Sequence, residues 1–229
     1  MMRPDFYVLS WNDLLVSLLF IAFSLFLIKK WKLGLENTLL IGTLRTFVQL
    51  TLMGYVLTWF FDQQHWAFML MLLFIMIVIA SYEGTRRQKN EIPHFFPAML
   101  VALLSSAILI LGTILLFILD VEPWFSPYAA IPIGGMIIGN GLNSTALTAN
   151  RFVGELKHRE KEIETLLALG ATPKLAVYDS MKASIHAALI PNINAMMTVG
   201  LVQLPGVMTG QILAGIDPII AVRYQIMIM

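Results

Sequence analysis

Several polar side chains interrupt the apolar stretches of this 229-residue chain. Asn140, Asn143 and Ser144 lie within PIGGMIIGNGLNSTALTANRF, whereas Arg45 and Gln49 lie one helical turn apart in RTFVQL. Amide, hydroxyl and guanidinium groups are costly in an apolar environment, so they usually face protein or water there. These side chains are therefore candidates to line a polar path.

Each of these candidates also has a structural interpretation. Gly135 and Gly139 form a small-xxx-small pair, which allows close helix approach, so their polar neighbours could serve packing alone. Arg45 could lie close enough to one membrane face for its side chain to snorkel into water. Gln203, near the end of a later apolar stretch, completes the candidate pathway. Both roles, lining a polar path and stabilising the helix packing, therefore stay open for these polar side chains.

A charged stretch, RFVGELKHREKEIETLLALGATPK, separates two of the apolar stretches. Leu156, Ile163, Leu166 and Leu167 fall near one helical face and charged residues cover much of the rest, which predicts an amphipathic helix. Gly170 is a natural stop for that helix. Such a helix either rests on the membrane surface or docks into a groove of a partner.

The apolar stretch that follows begins with polar residues. Thr172 followed by Pro173 predicts an N-cap and the first residue of a helix. Asp179 and Lys182 are three residues apart and are expected to form a neutralised pair. Pro191 should kink the helix and free a carbonyl group. Broken helices at mid-depth are common in transporters, although helices without a transport role also tolerate them.

The segment LPGVMTGQILAGIDP, residues 204–218, cannot form one straight helix, because it contains glycines and prolines at several positions. It predicts a short re-entrant or outer-surface helix, whose irregular backbone must be covered by protein or water. The segment is expected either to gate the outer end of the path or to act as a packed connector. The candidate gate residues are Pro205, Gly206, Gly210, Gln211 and Asp217.

Other chemistries lack the residues that they need. The chain has no cysteine, no GxxxxGKS/T loop, no HExxH motif and no Ser-His-Asp arrangement. Its four histidines are scattered, and its 14 methionines are expected to pack or face lipid rather than bind metal. We therefore expect no enzyme activity, no metal site and no cofactor in this chain. The net charge of +1 also gives no reason to expect a nucleic-acid partner.

The elements that position these residues are predicted to be membrane helices. Hydrophobic residues make up 58% of the chain and charged residues 13%, with a mean hydropathy of +0.78; soluble domains average about 45–50% and about 25%. The prediction is an all-α, polytopic transmembrane helix bundle with six complete spans, at 9–28, 39–61, 66–81, 96–119, 127–148 and 175–204. The apolar run 219–229 is too short to cross, which suggests a truncated seventh span.

The charges of the connections predict the orientation. The basic connections contain Lys29, Lys30 and Lys32, then Arg86, Arg87 and Lys89, then the stretch 151–174, whereas the connections between them contain Asp62, Asp120 and Glu122. This alternation places the N-terminus outside and the stretch 151–174 in the cytoplasm. The whole chain, 1–229, is predicted to form one transmembrane domain.

Four stretches carry a resemblance to a known family. They are RTFVQL, IPIGGMIIGN, LLALGATPK and the long run from Thr198, TVGLVQLPGVMTGQILAGIDPIIAVRYQIMIM. In their order and spread over nearly the whole chain, they closely resemble the iron-export (FetB-like) ABC transporter permeases. The resemblance implies a permease subunit that pairs with a separate cytosolic ATPase, usually as two copies of each. Family members also continue beyond residue 229 to complete a seventh span and a basic tail.

The resemblance also suggests a role for the charged stretch. ABC importer permeases carry a loop in which a glutamate precedes a glycine by six positions, and Glu164 and Gly170 have this spacing. Thr165 and Leu166 replace the two alanines of that loop, and Pro191 lies later than its proline. The match is partial, but it makes 162–171 the segment expected to dock on the ATPase. The coupling residues are Glu162, Glu164, Leu166, Leu167, Gly170 and Ala171.

The resulting functional prediction is a permease subunit of an ATP-driven exporter of metal ions (iron) in the plasma membrane (the bacterial inner membrane). The resemblance implies that it works as a homodimer. ATP and Mg²⁺ would bind to the partner ATPase, not to this chain. Bacterial family members are linked to metal export, and plant members to aluminium tolerance with a nucleotide-sugar as suggested cargo. The alternatives are an ABC permease for another cargo such as a nucleotide-sugar, an ion-coupled secondary carrier and a membrane scaffold.

Overall fold

The protein is described by a computed structural model that covers residues 11–63, 65–88, 92–119, 122–123 and 125–229. Residues 9 and 10 of the first predicted span, together with Lys89 and Asp120 of the predicted connections, lie outside these ranges. Within them the named elements are all helices, so the prediction of an all-α chain is confirmed for the part described.

The helices follow the predicted apolar stretches closely. They are α1 (Trp11–Lys30), α2 (Glu36–Gln63), α3 (Trp66–Arg87), α4 (Phe95–Ser106), α5 (Pro127–His158), α6 (Glu160–Ala168), α7 (Pro173–Ala176), α8 (Tyr178–Thr198), α9 (Gly206–Leu213) and α10 (Pro218–Ile228). Two π-helical segments, Ala107–Leu111 and Ile114–Ile118, prolong α4. In the second of these, the Leu119 N–H donates to the carbonyl of Ile114, five residues back, at 2.9 Å.

Among the described residues, three helices are both long and apolar enough to cross a membrane, at Glu36–Phe61, Trp66–Arg87 and Phe95–Ile118. They coincide with the second, third and fourth predicted spans. Helices α1, α5 and α8 occupy the positions of the other three predicted spans. The count of six spans and the orientation stay predictions.

The helices form two compact units. The first contains α1 and α2 with α9 and α10, and the second contains α3 to α8. In the first unit, α1 and α2 border a largely apolar cavity of about 520 Å³. The prediction of a single domain over 1–229 stays a prediction.

Helix α5 is the centre of the second unit, because α3, α4 and α8 all pack against it. A Cβ at Gly134 would lie 2.6 Å from Leu73 Cδ2, and one at Gly141 would lie 2.8 Å from Leu103 Cδ2. A Cβ at Gly139 would meet no heavy atom within 4 Å. A Cβ at Gly135 would lie 3.2 Å from Met76 Cε. Within the described part, close approach therefore uses Gly134, Gly135 and Gly141, so that only Gly135 of the predicted Gly135–Gly139 pair contributes.

Two predicted boundaries around α5 and α8 were wrong. The fifth span was expected to end at 148, but α5 continues to His158, because residues 149–158 contain no proline and Gly154 is tolerated in a helix. The sixth span was expected to reach 204, but α8 ends at Thr198, where the chain turns through Gly200 at φ +82°. Pro191 lies inside α8, and the helix is continuous through it rather than broken.

Candidate functional site

The polar residues of α5 are hydrogen-bonded from both sides. Arg87 at the end of α3 donates from Nη1 to Asn143 Oδ1 at 3.0 Å. Asn192 of α8 donates from Nδ2 to Ser144 Oγ at 2.9 Å. Asn143 and Ser144 are consecutive, so their side chains point about 100° apart around α5 and reach different neighbours. One turn of α5 is thus tied to both α3 and α8.

Gln88 adds a buried hydrogen bond next to this pair. Its side chain is 3% exposed, and its Nε2 donates to the backbone carbonyl of Ala146 at 2.7 Å. A buried amide without a partner would be costly, so this bond anchors the end of α3 on the middle of α5. Gln88, Asn192 and Arg87 were not among the predicted site residues. In the sequence, Gln88 is one of several consecutive polar residues, and no motif or spacing marks it as the residue that is buried.

A cavity of about 350 Å³ lies beside Ser144, between α5, α8 and the start of α4. Its lining combines apolar and aromatic side chains with the hydroxyls of Ser144, Thr145, Thr148 and Ser184. Thr148 Oγ1 donates to the Ser144 carbonyl at 2.8 Å, and Ser184 Oγ donates to the Ser180 carbonyl at 2.6 Å. The cavity therefore presents oxygen atoms without a charged group among its lining residues.

The other predicted pathway residues are not all gathered at this cavity. Asn140 lies on α5 one turn before Ser144 and is exposed. Arg45 and Gln49 lie on α2, in the first unit, and both are exposed. Gln203 lies in the turn after α8, where its backbone carbonyl accepts the Gly200 N–H at 2.9 Å, so its expected place within the sixth span was wrong. A role in transport stays a prediction for all four.

The predicted amphipathic helix is shorter than expected. Residues 151–158 belong to α5, the chain turns at Arg159 with φ −104° and ψ 21°, and only Glu160–Ala168 form the separate helix α6. None of the residues of α6 is buried. Leu167 is 43% exposed, and Leu169 just beyond the helix is 80% exposed. The coupling segment thus presents apolar side chains to solvent.

The end of α6 has the predicted stop. Gly170 adopts φ +89°, a conformation that favours glycine. Its N–H donates to the Leu167 carbonyl, and the Ala171 N–H donates to the Leu166 carbonyl, both at 3.0 Å. These two bonds form a Schellman motif. Thr172 then caps α7 through the Leu175 N–H, 3.4 Å from Thr172 Oγ1, with Pro173 as the first helical residue, as predicted.

An ion network occupies the corner between α5 and α6. Arg159 donates from Nε to Glu162 Oε2 at 2.8 Å and from Nη2 to Glu162 Oε1 at 2.6 Å. These hydrogen bonds lower the pKa of Glu162 and raise the pKa of Arg159. The same Nη2 lies 4.0 Å from Asp179 Oδ2 in the first turn of α8. Arg159, rather than the expected Lys182, is therefore the cation that pairs with Asp179 in the described structure.

Glu162 and Glu164 consequently differ, although both were predicted to couple to a partner. The carboxylate of Glu162 is engaged by Arg159, so it stabilises the corner. Glu164 is exposed on α6. Of the two, Glu164 is the better placed for contact with another protein.

The candidate gate segment forms the short helix α9 in the first unit, which confirms the predicted short helix. Pro205 occupies its N-cap and Gly206 its first position, while Gly210 lies in its interior. The Gln211 carbonyl accepts the Ile216 N–H at 3.0 Å, and Asp217 Oδ1 accepts the Ile219 N–H at 2.8 Å to cap α10. These bonds stabilise the turn between α9 and α10. A gating role stays a prediction.

The described residues contain no group of three or more His, Asp or Glu side chains placed to hold a metal ion. The hydroxyl and amide groups around Ser144 are neutral. The charged side chain that the structure places beside them is the cation Arg87 of α3, which donates to Asn143. In the part of the chain that the structure covers, these groups form a polar surface between helices.

Comparisons with known proteins agree with the resemblance found in the sequence. Residues 11–229 match the model of the uncharacterised protein family UPF0014. The UPF0014 membrane protein YjkA of Bacillus subtilis is 39% identical over 96% of this chain and 86% of its own length. The probable iron export permease protein FetB of Escherichia coli is 34% identical over 95% and 82%. The protein ALUMINUM SENSITIVE 3 of Arabidopsis thaliana is 32% identical over 93% and 77%.

No solved structure matches the chain significantly. The family match, in contrast, spans nearly all of the described helices in both units. Together with the apolar helices, these comparisons confirm the predicted membrane location. The chain is a multi-pass membrane protein that belongs to the UPF0014 family.

Proposed function

We propose that this chain is the membrane-spanning permease subunit of an ATP-driven ABC exporter. It works as a homodimer in the plasma membrane, the inner membrane in bacteria, with two cytosolic ATPase subunits. The observation that carries this proposal is helix α6, between α5 and α8, which has no buried residue and exposes the apolar side chains of Leu167 and, just beyond the helix, Leu169. An apolar patch with a charged rim is typical of a protein interface.

The similarity to a permease supports the same interpretation. FetB of Escherichia coli is named a probable iron export permease, and the two chains align over most of their lengths. We extend this to metal ions, iron first, as the cargo. A cargo must leave as well as bind, so a path of neutral oxygen and amide groups around Ser144 suits transient passage. A nucleotide-sugar is the alternative cargo.

Helix α5 links the proposed docking helix to the proposed path. It is continuous from Pro127 to His158, and Asn143 lies about 22 Å along its axis from that end, at about 1.5 Å per residue. ATP binding by the partner would draw the two copies of α6 together. Because α5 is a rigid rod that ends at the α6 corner, its displacement would reach Asn143 and Ser144 and switch access from inside to outside.

Two substitutions in the docking segment test this proposal. Glu164→Lys reverses an exposed charge beside the apolar face of α6, and Gly170→Val places a β-branched residue at φ +89°. Both variants should insert into the membrane but lose the stimulation of the partner ATPase. Lys161→Glu, a charge reversal on the part of α6 that faces away from Leu166 and Leu167, and Gly170→Asn, which tolerates this backbone conformation, should retain it.

Co-purification and vesicle transport decide between the alternatives. The proposal expects an ABC ATPase to co-purify and metal ions to move only when ATP is supplied. Normal ATPase stimulation in both docking variants would refute the role of α6. Movement that needs an ion gradient and no ATPase would indicate a secondary carrier, and ATP-dependent movement of a nucleotide-sugar alone would replace iron as the cargo. No movement of any cargo would favour a membrane scaffold.

A further inference from the structure

Arg159 is placed where three helices come together. It is the residue between α5 and α6, and its guanidinium forms two hydrogen bonds with Glu162, in the first turn of α6. The same nitrogen Nη2 lies 4.0 Å from Asp179, in the first turn of α8. One side chain therefore contacts the carboxylates of two helices from the end of a third.

Local chemistry explains this arrangement. The first turn of a helix favours acidic side chains, and both Glu162 and Asp179 occupy such a turn. The planar guanidinium matches the carboxylate of Glu162 with two parallel hydrogen bonds, which a lysine could not provide. The Arg159 side chain is 26% exposed, against 53% for Glu162 and 72% for Asp179. The cation is thus the most enclosed member of the network.

Helix α8 leads from this corner to the polar face of α5. It packs along α5, with Ser180 and Ser184 each 1% exposed, and its Asn192 donates to Ser144. The covalent route from α6 to α8 is less direct, since it passes through the turn at Gly170 and the short helix α7. The contacts of Arg159 form a second and shorter connection.

We propose that Arg159 is a positioning residue that transmits the displacement of α6 to α8. This inference rests on the proposed function, because it assumes that a partner ATPase moves α6. When α6 moves, Glu162 moves with it, and the guanidinium carries that movement to Asp179. Helix α8 then shifts along α5 and changes the geometry around Ser144. Exposed ion pairs are individually weak, so loss of the link should lower coupling by roughly two- to fivefold rather than abolish it.

The first test measures coupling in the assembled complex. Arg159→Gln should bind the ATPase as the wild type does, but its ATP-dependent transport per ATP hydrolysed should fall by roughly two- to fivefold. Lys161→Gln, which removes a neighbouring positive charge on α6, should leave the ratio unchanged. The triple variant Arg159→Glu, Glu162→Arg, Asp179→Arg reverses every charge of the network and should restore much of the ratio. An unchanged ratio in Arg159→Gln, or no recovery in the triple variant, would overturn the relay.

The second test does not depend on an ATPase. The chain has no cysteine, so spin labels at Lys161→Cys on α6 and Tyr178→Cys on α8 are the only labels in a chain, and an excess of unlabelled chains keeps labelled copies apart in a dimer. The distance distribution between them should be narrow in the wild-type background and broader with Arg159→Gln. Equal distributions in the two backgrounds would contradict the relay, whatever the ATPase does. Failure of any ATPase to bind the wild type, with broadening still observed, would instead refute the proposed function and retain the α6–α8 link.

Discussion

The close packing of α5 on α3 makes a sharp prediction about two glycines of the same helix. Gly134 and Gly139 both lie in the interior of α5, so a change to alanine gains about the same intrinsic helix propensity, roughly 1 kcal/mol, at each. This common gain cancels when the two variants are compared. The difference between Gly134→Ala and Gly139→Ala therefore isolates the effect of packing.

The geometry sets the size of that difference. The new methyl at Gly134 would lie 2.6 Å from Leu73 Cδ2 and 3.2 Å from Leu111 Cδ2, closer than the roughly 3.5–4.0 Å of favourable carbon contacts. Leu73 and Leu111 are 7% and 6% exposed, so neither can simply swing into lipid or water. Overpacking of this kind costs about 1–3 kcal/mol. At Gly139 the methyl would meet nothing within 4 Å.

Reversible unfolding of the purified protein in detergent micelles, titrated with a denaturing detergent, measures both variants. We expect Gly134→Ala to be less stable than Gly139→Ala by about 1–3 kcal/mol. The double variant Gly134→Ala, Leu73→Ala should lose less stability than the two single variants together, because the smaller side chain at position 73 makes room for the methyl. Equal stability of the two glycine variants would refute the packing described for α5.

Two further predictions concern polar contacts. Ser144→Ala, Asn192→Ala and the double variant form a double-mutant cycle, which the same detergent titration measures. We expect a coupling energy of about 0.6 kcal/mol, and below about 1.7 kcal/mol, between the two side chains. Additive effects of the two changes on stability would exclude the 2.9 Å hydrogen bond. The hydrogen bonds from Arg159 lower the pKa of Glu162. The pair's contribution to the stability of the α5–α6 corner is therefore fully present above about pH 4.3, and it is lost as pH falls through the lowered pKa. A spin label on Thr165→Cys should gain mobility only in that acidic range, and Arg159→Gln should remove this pH dependence.

Much of the local structure was predictable from short-range chemistry. The stop at Gly170 and the cap at Thr172 each depend on a few neighbouring residues, and the structure confirms both. The start of α3 at Trp66 was also predicted to the residue. Such signals are legible in a sequence because a cap or a left-handed glycine acts within one turn of the chain.

The extent of α5 and α8 was predicted less well, for a different reason. Hydropathy marks where a segment becomes polar, but α5 remains helical for ten residues beyond residue 148, since a polar sequence can continue a helix. At α8 the opposite error occurred, because apolar residues continue past Thr198 although the backbone turns at Gly200. A change of polarity and the end of a helix are thus separate events.

By itself, the sequence determined that the chain is helical and lies in a membrane, because composition, helix length and caps are properties of segments. It also selected Asn143 and Ser144 as candidates to line a polar path. Only the tertiary structure decided which residues they contact: Arg87 donates to Asn143, and Asn192 donates to Ser144. It also decided that Arg159 pairs with Asp179 at the corner between α5 and α6. The physical reason is that these contacts join residues distant in the chain, and their choice depends on how each helix is rotated against its neighbours, which packing of the whole unit sets.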